Sequence, residues 1–330
     1  MSRWIRVVYV VLALLVVGVV LFSGALSRFV VDWIWFDDRG YEALFKTIIF
    51  ARIAIGVVIG AVTFVFLYIN ARIALRHGGD GPVRVVLPGD LARSPLGRLF
   101  SQMPLHGPLL ALSIIFGILA GLVTSGAWEE VLLFLNRTSF DYVDPILGYN
   151  AGFYVFVLPV LVTFRGVLMA VVVLAMLIAG VVYLMRDAIN VNFVEVNPGQ
   201  YMIRGINVEA VTRRHLAVLV FFLFALMAAG SWLARFAVMY DQTGLIGGPG
   251  YADVTVTLPL LIVEAVVTVI AGAVLAWSMI GMRRIAGIVS GGIVVLFWIL
   301  SAVLPKAFQS LVVEPNELVK ESPFIEHNIA

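Results

Sequence analysis

Apolar runs about twenty residues long recur along this chain, and nothing else in it limits the fold so tightly. A helix needs about 20 such residues to cross a hydrocarbon core about 30 Å thick. Seven segments reach that length: Val7–Leu26, Thr47–Ile69, Pro108–Ala127, Gly166–Leu184, Leu216–Leu233, Leu258–Ile280 and Ala286–Leu304. Open sheet edges are not tolerated in lipid, so the runs are read as helices. The expected fold is an all-α polytopic integral membrane protein with seven transmembrane helices over residues 1–304 and an extracytoplasmic tail over 305–330. Composition excludes the soluble alternative. Of 330 residues, 62% are hydrophobic and 13% charged, about half the charge of an average globular chain. With no cysteine there is no disulfide, thiolate metal site or Cys nucleophile.

Lysine and arginine set the orientation, because cytoplasmic loops carry the excess. With the N-terminus in the cytoplasm, thirteen fall inside and seven outside, and Arg52 and Arg165 lie within or beside apolar runs. Tryptophans agree: Trp4 and Trp277 fall at inner ends, and Trp33, Trp35, Trp128 and Trp232 at or just past outer ends. Ser23-Gly24-Ala25 would also suit a signal-peptide cleavage site, but the run before it is long enough to span. The expected location is the bacterial inner membrane, with the C-terminus extracytoplasmic.

Two cytoplasmic connections stand out. Ala71 to Gly107 is rich in Gly, Pro and Arg and reads as a basic membrane-facing loop. Met185 to His215 contains an alternating stretch, Val191 to Val196, ahead of Asn197-Pro198-Gly199, which predicts a small β-hairpin. On the external side Gly-Tyr occurs three times, at Gly40-Tyr41, Gly148-Tyr149 and Gly250-Tyr251, and two copies are followed by Leu158-Pro159 and Leu258-Pro259. Each copy follows an outer-end tryptophan and precedes a returning helix. The pattern is that of three parallel helical hairpins plus one helix; the plain alternative is that Gly and Tyr both favour interfacial turns.

Three stretches go beyond composition. One runs from Phe140 through Asp141-Tyr142-Val143-Asp144-Pro145 and Gly148-Tyr149-Asn150-Ala151-Gly152-Phe153-Tyr154 to Pro159. The second is Gly247-Gly248-Pro249-Gly250-Tyr251-Ala252-Asp253-Val254, leading into Leu258-Pro259. The third is Val313-Glu314-Pro315-Asn316-Glu317-Leu318 with Pro323 to Ile329. Together with Asp32-Trp33-Ile34-Trp35-Phe36, these resemble uncharacterised protein family 0182, large bacterial integral membrane proteins. The resemblance implies that the chain is the N-terminal membrane portion of a longer protein with a large extracytoplasmic region. The family has no established activity and supplies no catalytic residues. Asn150 stands where the family pattern leads one to expect Asp.

Glu264 is the one carboxylate inside a span, about 9 Å below Leu258 at helical rise. Arg165 and Arg52 are its candidate partners, in an ion pair that either clamps helices or relays a cation. Alternatively, Arg165 marks the true start of a helix whose preceding residues lie at the interface. The external loop candidates are Tyr41, Asp141, Asp144, Tyr149, Tyr154, Asp241, Tyr251 and Asp253, whose acids either gather around a hard cation or simply form turns. Pro315, Asn316 and Glu317 form the tail motif and open a short helix. The tail has no metal-ligand spacing, and no metal or cofactor is expected. Gly56/Gly60, Gly117/Gly121 and Gly287/Gly291 are one-turn small-residue pairs suited to close helix packing. No nucleophile elbow, phosphate loop or interleaved basic-aromatic surface is present, so neither an enzyme nor nucleic-acid binding is expected. The expected role is a multi-pass envelope scaffold, in contact with lipid and other envelope proteins, that anchors an extracytoplasmic region. The alternative is a transporter or channel subunit with Glu264 and Arg165 near its path.

Overall fold

The structure is a computed structural model and describes residues 23–77, 105–186, 188–197, 200–240 and 247–329. Two compact units divide the chain, Met1–Ile55 and Gly56–Ala330. In the first, residues 23–38 form helix α1 and the first part of α2 (Glu42–His77) follows. Gly40 has φ +75° between them. The Tyr41 N–H donates to the Phe36 carbonyl at 2.8 Å, closing a Schellman-type C-cap that glycine permits and an L side chain resists.

The second unit contains the rest of α2, then α3 (His106–Thr124), a 3₁₀ turn (Ser125–Ala127) and α4 (Trp128–Leu135). It continues with α5 (Leu158–Met185), strands β1 (Ile189–Asn197) and β2 (Gln200–Val208), α6 (Ala210–Ala237), α7 (Leu258–Gly281), α8 (Arg284–Phe308) and α9 (Glu317–Ile329). The strands pair antiparallel from Ile189↔Val208 to Asn197↔Gln200, the hairpin that the alternation predicts.

Among the described residues, six helical stretches are long and apolar enough to cross a membrane: Glu42–His77, His106–Leu135, Phe153–Met185, Ala210–Tyr240, Asp253–Gly281 and Arg284–Glu326. They coincide with the second to seventh expected spans. The first expected span lies outside the described residues except for its last four, which are helical. Large apolar side chains such as Val123 (78% exposed), Phe50 (75%) and Ile285 (80%) face outward. Water would penalise so much exposed apolar surface, whereas lipid does not.

The small-residue pairs of α2 and α3 pack on each other. A Cβ on Gly60 would lie 2.9 Å from the Gly117 carbonyl oxygen, and one on Gly117 would lie 2.9 Å from that of Gly60. Only glycine allows this backbone approach. Gly287 packs on Ser278 and Leu275 of α7, while Gly291 faces open space. Next to this crossing is a core of Leu67, Ala71, Ala74, Val171, Ala175, Ala179, Val182, Tyr183 and Leu219.

Three expectations need correction. Helix α5 and its preceding turn begin at Phe153, so Arg165 lies inside a helix and not at its start. The short helix α4, with Glu129 and Glu130 in its first turn, carries the third apolar helix past its expected end at Ala127. Helix α8 runs through Pro305 to Phe308, past the expected end at Leu304. A proline removes one helical hydrogen bond, and the flanking turns hold the helix together.

Candidate functional site

Proline without an N–H shapes the backbone at the ends of three long apolar helices. A π-helical turn precedes Pro159 at Phe153–Val157, Pro259 at Asp253–Thr257 and Pro315 at Gln309–Val313, each occupying the same positions relative to its proline. In an α-helix the proline ring would clash with the carbonyl four residues earlier. That carbonyl belongs to Val155, Thr255 or Leu311, and each sits at the centre of its π turn, where one extra residue opens the ladder. The Phe153, Asp253 and Gln309 carbonyls accept from the N–H groups of Leu158, Leu258 and Glu314, five residues on. Sequence reading links the two Leu-Pro copies but not the third proline.

Side chains of its own loop and of the end of α6 complete the first of these turns. Pro159 cannot donate to the Tyr154 carbonyl, and the Tyr240 hydroxyl does so at 2.9 Å. Asp144 is 8% exposed and accepts the Tyr154 hydroxyl at 2.7 Å and the Ile146 and Leu147 N–H groups at 3.0 and 2.8 Å. Gly148 takes φ +74°, as Gly40 does. Tyr149 packs on Phe153 and Phe236 with centroids 4.8 and 5.0 Å apart. The Asn150 amide oxygen accepts from the Phe140 and Gly152 N–H groups while its Nδ2 donates back to the Phe140 carbonyl. Aspartate could not make the last bond, which accounts for an amide here.

The second turn leans on the tail instead. Asp253 accepts from the Gly250 N–H and the Thr257 hydroxyl, both at 3.1 Å. The Tyr251 N–H donates to Glu321 of α9 at 3.0 Å. The Tyr251 ring stacks on Phe308, meets Phe324 edge-on and has the Lys320 ammonium 4.3 Å from its centroid. Here Gly248, not the glycine before Tyr, has positive φ. Asp141, Tyr41 and the tail motif Pro315, Asn316 and Glu317 are exposed, and Asp241 lies outside the described residues. Among the described residues no group of three or more His, Asp or Glu gathers to hold a metal ion. The two loops have separate partners.

Within the helices, Glu264 is 7% exposed. It accepts from Ser231 of α6 at 2.6 Å and from Ser301 of α8, so one carboxylate ties three helices. Arg165 goes elsewhere. Its Nε donates to the Leu226 carbonyl at 2.9 Å, and its guanidinium lies over Gly230, where a Cβ would come 2.6 Å from Cζ. Arg52 is exposed on α2, in the first unit. The arginine clamp expected for Glu264 is thus replaced by two serines. Their hydroxyls are legible as polar positions in apolar runs, but nothing in the sequence assigns them to Glu264.

A second polar chain also escapes sequence reading. Tyr183 is fully buried, and its hydroxyl lies 2.8 Å from His215 Nδ1. His215 Nε2 lies 2.9 Å from Asn70 Oδ1, and Asn70 Nδ2 donates to the Phe66 carbonyl at 2.8 Å. Since Asn70 offers its oxygen, Nε2 carries the ring proton and Nδ1 accepts from Tyr183. This chain ties α2, α5 and α6 together beside the apolar core.

Comparison with known proteins agrees over nearly the whole chain. Residues 8–330 match the model of "Uncharacterised protein family (UPF0182)". A UPF0182 protein of Trichlorobacter lovleyi is 32% identical over 309 residues, covering 92% of this chain and 33% of its own length. One of Pelobacter propionicus is 32% identical over 304 residues, covering 90% and 32%. One of Desulfitobacterium hafniense is 32% identical over 335 residues, covering 98% and 34%. The chain therefore spans about a third of the length of the curated relatives it matches. No solved structure matches it.

Proposed function

The chain belongs to the uncharacterised protein family UPF0182, and from that premise we propose that it is the multi-pass membrane anchor of a bacterial envelope scaffold. In this reading it lies in the inner membrane with its N-terminus cytoplasmic and acts through lipid and other envelope proteins. The observation that carries the reading is the latch between α9 and the loop at Tyr251, made by Glu321, Phe324 and Lys320. A tail held against the end of a helix pair transmits a fixed orientation to whatever follows it, which a free linker cannot do. The relatives' threefold greater length supports a further region for the anchor to present. Arginine distribution supports the topology.

Two experiments test it. Reporter fusions after Arg186 and after Glu326 should report opposite sides of the membrane, and the same side for both would overturn the topology. Crosslinking in intact cells from a photoreactive residue at exposed Asp141 should capture an envelope protein. Capture of lipid alone would remove the scaffold role.

The second reading is a transporter or channel subunit, and the buried Glu264–Ser231–Ser301 cluster is the observation that favours it. Ion flux into proteoliposomes that is lost with Glu264→Gln would establish it in place of the scaffold.

A further inference from the structure

We propose that Glu264, Ser231, Ser301 and Thr268 form a binding site for a single compact monovalent cation, of the sodium class. The site does not depend on the scaffold reading, which rests on the external loops.

Charge gives the first reason. Glu264 is 7% exposed, and both its hydrogen bonds among the described residues come from neutral hydroxyls. A charged carboxylate buried this deeply is costly unless it is paired, and the expected partner, Arg165, is committed to the Leu226 carbonyl. One negative charge matches one monovalent cation and undercharges a divalent one.

Oxygen donors give the second. Thr268 stands one turn from Glu264 on the same face of α7. It is 0% exposed, and its Oγ1 has no hydrogen-bond partner. An orphaned buried hydroxyl is destabilising, so it is seldom kept without use. The carboxylate and the Ser231 and Ser301 hydroxyls are in contact, and the Thr268 hydroxyl lies one turn along α7. Hard oxygens of this kind suit a hard cation.

Packing gives the third. The oxygens of Ser231 and Ser301 already lie within hydrogen-bond distance of Glu264. One helical turn beyond Thr268, a Cβ on Gly272 would clash with the Phe224 side chain of α6. Walls this close exclude a large ion.

The test uses the full chain in nanodiscs, with thermal unfolding followed in sodium, potassium or choline chloride at equal ionic strength. A binding cation stabilises the folded state by mass action. The unfolding midpoint should rise saturably with sodium and stay flat with potassium and choline. Glu264→Gln should abolish the sodium response.

Thr268→Val separates a ligand from a mere orphan. If Thr268 holds the ion, this near-isosteric change weakens sodium binding about tenfold or more. If the hydroxyl is only orphaned, the valine raises the midpoint equally in all three salts and leaves the sodium response intact, which overturns the assignment. Identical wild-type midpoints in the three salts also overturn it. Should Glu264→Gln fail to fold, the wild-type salt series and Thr268→Val decide the matter. An external crosslinking failure would leave the sodium response unchanged, and its loss would leave the topology unchanged.

Discussion

The loops before Pro159 and Pro259 share one backbone device and differ in everything that holds it. Both have Gly-Tyr, then a π turn, then Leu-Pro opening a long apolar helix. The first closes on its own residues and the end of α6, through Asp144, Asn150, Tyr154 and Tyr240. The second closes on α9, some seventy residues further along the chain. Backbone geometry therefore follows from proline's missing N–H, while the satisfying groups come from whichever neighbour is in reach. The third π turn, before Pro315, shows that even the Gly-Tyr signature is dispensable.

The largest test of this contrast is Asp144→Ala. It removes three hydrogen bonds at once from a buried side chain, including that from the Tyr154 hydroxyl, and should lower stability by about 3 kcal/mol. Unfolding in detergent measures the loss, and amide exchange should rise around 140–154 while residues 247–253 stay protected. Equal exposure of both loops would mean that they are one cooperative unit.

Asn150→Asp comes next, at about 2 kcal/mol, because a carboxylate oxygen would face the Phe140 carbonyl where Nδ2 now donates. Protonating that carboxyl restores a donor, so the deficit should shrink as pH falls through the carboxylate range. A deficit independent of pH would sink the amide-clip explanation.

A double-mutant cycle then tests the proline itself. Pro159→Ala restores an N–H for the Tyr154 carbonyl, so Tyr240→Phe should cost about 1 kcal/mol in the parent and close to nothing in the alanine variant. Pro259→Ala should show no such coupling to Tyr240. Coupling at both prolines would contradict the separate partners assigned to the loops.

The smallest effect belongs to Glu321→Gln, which weakens one partly exposed charge-assisted bond by less than about 1 kcal/mol. Its readout is local: faster exchange at the Tyr251 amide and none at Tyr149. A global loss of stability would show that the tail supports the bundle as a whole.

Much of the fold was legible because hydropathy is a property of one segment at a time. Six of the expected spans, the hairpin after Arg186 and the short helix after Pro315 follow from apolar length, alternation and proline, none of which depends on a distant residue. The site was legible only as isolated members. Glu264 announced itself as a carboxylate in an apolar run, yet its partners were misassigned because attraction to an arginine says nothing about helix rotation or depth. Arg165 found the carbonyl of Leu226 because Gly230 leaves a seat there, and that vacancy exists only when α5 lies against α6.

The sequence alone determined that apolar helices dominate and which stretches form them, though not that α5 starts well before Gly166. Tertiary structure alone decided that two serines meet Glu264, that Asn70, His215 and Tyr183 form one chain, and that α9 returns to Tyr251. The physical reason is that solvent preference adds up residue by residue along a chain, whereas a hydrogen bond needs two groups at one place, and place is set by how the helices pack.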